Sequence, residues 1–227
     1  MKKYFLPSVV LIISFLLVLN SSFTTADNKF KGEYYQLTIY HIKNAEQIAI
    51  TNAYLKSTYL PALHKMGLKN IGVFNSIDND TAVDKKIYLL IPFPSLQNYE
   101  VFTNALTAGI LLQNDTSAYS NAAFNKMPFE RVETALLKAF PNLLQLKIPA
   151  LTAPKADRIY ELRSYEGPTE KLYRQKVKMF NEGGEVGLFN RLKFNAVFYS
   201  EVIAGAHMPN LMYMTTFNNQ TERDEHW

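Results

Sequence analysis

The chain has 227 residues, no cysteine, and 24 basic against 20 acidic side chains, with 48% hydrophobic content. That content supports a sizeable core, and the missing cysteines exclude a disulfide-stapled scaffold. No Lys/Arg cluster with interleaved aromatics occurs, which excludes a nucleic-acid footprint.

Residues 1–26 read as a signal peptide. Lys2 and Lys3 form a basic start, Val9 to Leu19 is an apolar run broken only by Ser14, and Thr24-Thr25-Ala26 offers small residues for cleavage. Eleven helical residues rise roughly 16 Å, about half a bilayer core, so a removed leader is expected and no stable membrane span after it. A bacterial lipoprotein signal needs a cysteine at its cleavage site, so lipid anchoring is not expected. Export without disulfides suits a bacterial periplasm or a secreted fraction.

A first unit is expected over 30–141. Tyr34 to Ile42 alternates and reads as a strand. Asn44 caps a helix to about Met66, with Ile48, Leu55, Tyr59 and Leu63 near helical spacing and Gly67 as its stop. Strands are expected at Leu68 to Ile77 and Lys86 to Phe93, separated by the turn-rich Asp78-Asn79-Asp80. Ser95 opens a second helix, a helical or irregular region reaches Lys126, and Glu130 to Phe140 closes as a strand. The order βαββαβ is the ferredoxin-like split unit, an antiparallel sheet with both helices on one face.

Residues 142–156 read as a linker, bounded and punctuated by Pro141, Pro149 and Pro154. A second unit over 157–227 repeats the order. Arg158 to Glu166 is a strand, Pro168 starts a helix to about Gly187, Leu192 to Val202 and Asn210 to Phe217 are strands, and Asn219 begins a helix. The units are copies. Tyr35-Gln36-Leu37-Thr38-Ile39-Tyr40 matches Tyr160-Glu161-Leu162-Arg163-Ser164-Tyr165, Ile71-Gly72-Val73-Phe74 matches Asn195-Ala196-Val197-Phe198, and Phe93 matches Phe217. At that spacing the second copy would close about 124 residues after Phe140. The second unit is therefore expected to be incomplete, a C-terminally truncated fragment with an unpaired edge.

The hexapeptide Tyr160–Tyr165, with Met179-Phe180-Asn181-Glu182-Gly183-Gly184-Glu185 and Met208-Pro209-Asn210-Leu211-Met212-Tyr213-Met214, resembles the NIPSNAP family. Glu222-Arg223-Asp224 and His226-Trp227 extend that resemblance. It covers about Arg158 to Trp227. The first copy resembles the family more weakly, having Gln36 and Thr38 where the second has Glu161 and Arg163. The resemblance implies the dimeric α/β-barrel superfamily, in which two ferredoxin-like units pair their sheets into a barrel with the helices outside. Two copies in one chain can build that barrel internally. The superfamily includes cofactor-poor monooxygenases, haem-degrading enzymes and domains with no known reaction, so the family supplies no mechanism.

Alternation places Tyr160, Leu162 and Ser164 on one strand face, expected under the helices, and Glu161, Arg163 and Tyr165 on the other. In a barrel the latter face would line the interior, together with Gln36, Thr38 and Tyr40. These six groups are the candidate ligand-binding set. The competing interpretation is a Glu161–Arg163 pair that only fixes sheet packing. Gly183-Gly184 falls inside an expected helix at a cost of about 1 kcal/mol per glycine, offset by close packing, by a ligand, or by a helix break.

The histidines His41, His64, His207 and His226 show no metal-pair spacing, so no metal is expected, and no cofactor motif is present. No nucleophile elbow, phosphate loop or dinucleotide fingerprint occurs either. His207 and Tyr165 are the candidate proton-handling residues. The expected function is an exported NIPSNAP-like protein that binds a small molecule or a protein partner. The alternative is a cofactor-poor monooxygenase-like, isomerase-like or haem-degrading-type enzyme, in which Arg163 holds an anionic group and Tyr165 or His207 handles protons. A third class is an assembly module that forms a homodimer through its sheet face. The sequence leaves open whether the chain is an enzyme.

Overall fold

Nine residues rich in aromatic and β-branched side chains, Tyr34–Ile42, form β1, which is buried on both faces. The computed structural model describes residues 30–227, and the expected signal peptide lies outside the described residues. After β1, the Asn44 side chain accepts from the Gln47 N–H at 2.9 Å and starts α1 (Ala45–Tyr54). The helix then widens into a π turn, Leu55–Tyr59, before α2 (Leu60–Lys65). Pro61 has no N–H to continue the i−4 ladder, and just before it the Leu60 N–H donates to the Leu55 carbonyl, five residues back.

Gly67 (φ +82°) ends this helical stretch. The strands β2 (Gly72–Asn75) and β3 (Lys85–Phe93) follow. Ser95 caps α3 (Leu96–Thr107), residues 108–130 run as turns and irregular chain, and β4 (Arg131–Ala139) completes the first unit.

The second unit has β5 (Ile159–Glu166), α4 (Glu170–Asn181), α5 (Glu185–Arg191), β6 (Phe198–Ala204), β7 (Asn210–Phe217) and α6 (Gln220–His226). Three boundaries differ from expectation. Thr169, not Pro168, caps α4, leaving the proline just outside the helix. The expected single helix through Gly183-Gly184 is two helices, because Gly184 takes φ +82°, a left-handed conformation that ends one and begins the next. The expected strand from Leu192 begins only at Phe198, since Lys193 and Asn195 also have positive φ.

All strands join one antiparallel sheet in the order β2-β3-β1-β4-β6-β7-β5. The β2-β3-β1-β4 half is the complete ferredoxin-like order, and β6-β7-β5 is the same order with three strands. The connector between β4 and β5 is tied down rather than loose. The Thr152 and Ala153 N–H groups donate to Asn218 Oδ1, and Arg158 donates to the carbonyls of Ala153 and Leu151.

Pairing registers settle which face points where. Tyr35, Leu37 and Ile39 lie opposite Leu137, Ala135 and Glu133 on β4 and opposite Pro92, Leu90 and Tyr88 on β3. Through β6 and β7 the same inner face continues to Phe198, Met214 and Leu162. The sheet curls until Phe74 of β2 meets Tyr160 of β5, ring centroids 4.8 Å apart. A nearly closed barrel results, its interior filled by side chains such as Tyr35, Leu37, Leu90, Leu137 and Phe198.

The helices pack on the outer face in two clusters. One joins Tyr40, Leu55, Leu63, Leu89 and Phe102, and the other joins Phe180, Phe189, Tyr199, Tyr213 and Phe217. Among the described residues no helix is long and apolar enough to cross a membrane.

The glycine break yields a test of packing. A Cβ on Gly183 would lie 2.6 Å from the Met179 carbonyl oxygen, in the last turn of α4. Gly183→Ala should cost about 1–3 kcal/mol, read as a lower urea midpoint at unchanged slope.

Candidate functional site

The six residues expected to line the barrel interior do not. Gln36, Thr38 and Tyr40 pair with Ile91, Leu89 and Ile87, which belong to the helix-covered cluster, so they face outward under the helices. Glu161, Arg163 and Tyr165 likewise pair with Thr215, Tyr213 and Leu211 on the outer face, while Tyr160, Leu162 and Ser164 point inward. The alternation was correct and its polarity reversed. The strands are covered on both sides, so alternation separates the two faces without marking which one is inner.

In the second unit Glu161 is held by α6. Its carboxylate accepts from Arg163 Nε at 2.7 Å, from Arg223 Nε at 2.9 Å and Nη2 at 3.1 Å, and from the Trp227 indole N–H at 3.1 Å. The Arg163 guanidinium also lies 3.8 Å from the centroid of the Trp227 ring. Burial would raise the Glu161 carboxyl, but the hydrogen bonds and charges of Arg223 and Arg163 outweigh it and hold the carboxyl below its ordinary value. This arrangement clamps α6 to β5.

Beside the clamp, under α4 and α5, the Tyr165 and Tyr213 rings stack at 5.8 Å with hydroxyls 3.4 Å apart. Gly184 starts α5 so that Glu185 turns toward the sheet, and its side chain is only 17% exposed. Glu185 Oε2 and the Tyr199 hydroxyl are both buried with no hydrogen-bond partner. Burial raises the Glu185 carboxyl, and Lys176, 3.8 Å from Oε1, offsets only part of that. Lys176 itself rests over the Tyr165 and Phe180 rings.

In the first unit the corresponding layer holds an open cleft of about 960 Å³. One wall is α1, the π turn and α2, presenting Ala53, Ser57, Pro61 and Lys65, and the other is the segment from Ile110 to Ala118. Tyr54 lies at its base, stacked on Tyr119 with centroids 4.0 Å apart and planes 6° apart, and on Tyr59 at 5.5 Å. Tyr40 meets Tyr119 edge-on. Burial pushes the Tyr40 phenol up to about 12, and it pushes Tyr54, Tyr59 and Tyr119 upward as well. At neutral pH these phenols are therefore neutral hydrogen-bonding groups and not bases. The Asp115 carboxylate stands in the cleft wall, held below its ordinary value because bonds from Ser120 and Ser117 outweigh burial.

Of the expected set, then, Tyr40 joins the tyrosine group of the first unit, while Tyr165 joins the Glu185 group of the second. Gln36 and Thr38 bond each other at 3.0 Å beneath the helices. His207 lies in the exposed β6–β7 hairpin, paired with Glu166 at 3.4 Å. His41 pairs with Asp84 of the β2–β3 hairpin at 3.0 Å, so each unit ties that hairpin to its first strand with a histidine–carboxylate pair whose members are exchanged. Tyr54, Tyr119 and Tyr199 were missed, whereas Glu185 stands in the motif that carries Gly183-Gly184. The π turn and the Gly-Gly break that place two of them have sequence marks in Pro61 and in Gly183-Gly184.

No family model matches the chain, and no curated protein matches its sequence. Among the solved structures that share the fold are two described as "putative monooxygenase". The "putative monooxygenase" of Fusobacterium nucleatum subsp. nucleatum ATCC 25586 superposes with a TM-score of 0.52 at 6% identity, over 87% of this chain and 81% of its own. The "putative monooxygenase" of Lactobacillus acidophilus NCFM gives 0.53 at 9% identity, over 86% and 81%. The chain has the α+β fold of the dimeric α/β-barrel type, built from tandem ferredoxin-like units.

The α6 clamp sets a pH-dependent expectation. Glu161→Ala removes the shared anion of Arg163, Arg223 and Trp227 and should cost about 2 kcal/mol. The lowered carboxyl contributes stability that is present above its unfolded value of 4.5 and lost as pH falls through the folded value. Thermal midpoints of wild type and Glu161→Ala should therefore differ at pH 7 and converge on acidification.

Proposed function

We propose that the chain is an exported, NIPSNAP-like protein that binds a small aromatic molecule in the first-unit cleft. The leader pattern around Lys2, Lys3 and Val9–Leu19 supports export, and the motifs of Tyr160–Tyr165 and Met208–Met214 support the family. The observation that carries the binding role is the cleft over Tyr54, with apolar and small side chains on the helix wall and Tyr54, stacked on Tyr119 behind it, at its base. Such a site offers the apolar Ile50, Ala53, Pro61 and Leu111 to a ring and the neutral Ser57 and Thr58 hydroxyls to its substituents. Lys65 on one wall and the Asp115 carboxylate on the other give the cleft a charge of each sign.

The alternative, an enzyme that removes a proton from its substrate, is favoured by one observation. Glu185 is a carboxylate raised by burial, with one oxygen unpartnered beside the equally unpartnered Tyr199 hydroxyl. A carboxylate raised by burial next to neutral phenol donors suits proton abstraction from a phenol or an enolisable ketone. The cleft tyrosines do not supply that base.

Two measurements separate these roles. Ala53 is exposed in the cleft wall, so Ala53→Trp should fill the cleft without unfolding the barrel. Titration with 2-naphthoate should show saturable binding to the wild type, weakened at least about tenfold in the variant, a loss of ~1.4 kcal/mol or more. Equal binding by both proteins would remove the cleft as the site. For the enzyme, oxygen uptake with 1-naphthol should be abolished by Glu185→Gln, and uptake unaffected by that substitution excludes Glu185 as the base.

A further inference from the structure

The two charged side chains of the first-unit cleft, Lys65 and Asp115, stand at different places along it. Tyr119 fixes where Asp115 lies. It stacks on Tyr54 with centroids 4.0 Å apart, so the segment just before it is held against the end of α1. That segment is a turn closed by its own polar groups. Asp115 Oδ1 accepts from the Ser117 N–H at 2.8 Å and Oδ2 from the Ser120 hydroxyl, and Asn121 Nδ2 donates to the Ser117 carbonyl at 3.1 Å. The carboxylate is thereby kept near Tyr54. Its charge is one of the causes, after burial and the phenols of Tyr40 and Tyr59, that push the Tyr54 phenol upward.

Lys65 closes α2, at the other end of the helical wall. From Tyr54 to Lys65 the helix rises roughly 16 Å, against a Debye length of about 8 Å at physiological salt. A charged group bound near Tyr54 therefore meets the Asp115 carboxylate and is largely screened from the Lys65 ammonium. The fold does not neutralise that carboxylate. The groups that bond it are a backbone N–H and serine hydroxyls, and among the described residues no Lys, Arg or His pairs with it. Burial would raise the carboxyl, but these bonds outweigh it and hold it below its ordinary value, so the anion persists at neutral pH.

Between the two charges the cleft changes character. Ser57 and Thr58, one turn beyond Tyr54, bring hydroxyl acceptors, and farther on Pro61, Ile110 and Leu111 are apolar. Ile110 is 68% exposed, apolar surface that the chain itself leaves uncovered. An alkylammonium group carries three N–H donors and no acceptor, which suits an end of the cleft that holds a carboxylate and two hydroxyls.

We propose that the ligand of this cleft is an aromatic amine, its ammonium paired with Asp115 and its ring on the apolar stretch toward Lys65. This assignment rests on the binding role proposed above and names the class of ligand. An anionic aromatic such as 2-naphthoate can use the same apolar stretch, but it forgoes the charge-assisted bond to Asp115.

The probes are 2-naphthylmethylamine, its neutral isostere 2-naphthalenemethanol, and butylamine, each titrated calorimetrically into the purified protein at neutral pH. In the wild type the aromatic amine should bind at least about fivefold more tightly than the alcohol, the difference expected of one partly exposed ion pair. Butylamine, with the charge and no ring, should bind at least about tenfold more weakly than the aromatic amine. Asp115→Asn should bring the amine down to the affinity of the alcohol and leave the alcohol unchanged. Equal binding of amine and alcohol by the wild type overturns the assignment, and that comparison needs no substitution in the turn. An amine preference that survives in Asp115→Asn, or butylamine binding as tight as the aromatic amine, overturns it as well. Failure of the cleft itself reads differently. In that case the alcohol and 2-naphthoate also fail to bind, or Ala53→Trp weakens none of the naphthyl ligands, and the assignment falls with the site.

Discussion

Every strand of this barrel has to satisfy two cores at once. The curled sheet encloses a packed interior, and helices cover most of its outside, so a strand such as β1 is buried along nearly its whole length on both faces. Much of the rest follows from that double burial. Inside, aromatic pairs such as Tyr35–Phe198 fill the space that strand curvature creates. Outside, several buried polar side chains find partners, as Gln36 does in Thr38 and Glu161 does in two arginines and an indole, whereas Glu185 Oε2 and the Tyr199 hydroxyl do not.

The two copies have spent the same helix-covered layer differently. In the first, the π turn and the irregular chain after α3 leave room, and Tyr54 lies at the base of what remains. In the second, α6 closes over β5 through the Glu161 clamp, and the Gly-Gly break drops α5 toward the sheet with Glu185 pointing in. One layer keeps an open cleft, and the other is closed over a largely aromatic cluster with Glu185 at its edge. The charged residues that distinguish the second copy in sequence therefore mark a helix attachment and not a lined cavity. Arg163 and Glu161 serve each other and α6 before they serve any ligand.

Local signals were legible where one residue decides one backbone event. Asn44, Ser95 and Asn219 each cap a helix, because a short polar side chain meets an orphan N–H whatever the tertiary setting. The repeat spacing gave the strand order and the tandem ferredoxin-like units, including the three-stranded second unit. The polarity of the faces was not legible. Alternation separates odd from even residues, but when both faces are covered neither is the solvent face, and Tyr160-Leu162-Ser164 resembles a helix-facing stripe as well as an inward one. The Glu185 site was hidden for a similar reason: Gly183-Gly184 can relieve packing or break a helix, and only the left-handed turn at Gly184 selects the break.

The sequence by itself therefore determined the elements, their order and their duplication, since caps, periodicity and repeats act through neighbours along the chain. Tertiary structure decided which face became the inside, which tyrosines converged, and where Glu161 found its partners. Those outcomes depend on curvature and on contacts between residues far apart in the chain, such as Phe74 with Tyr160 and Glu161 with Arg223. No single stretch of sequence carries the sign of the curl, and it is the curl that turns a two-sided strand into an inner and an outer wall.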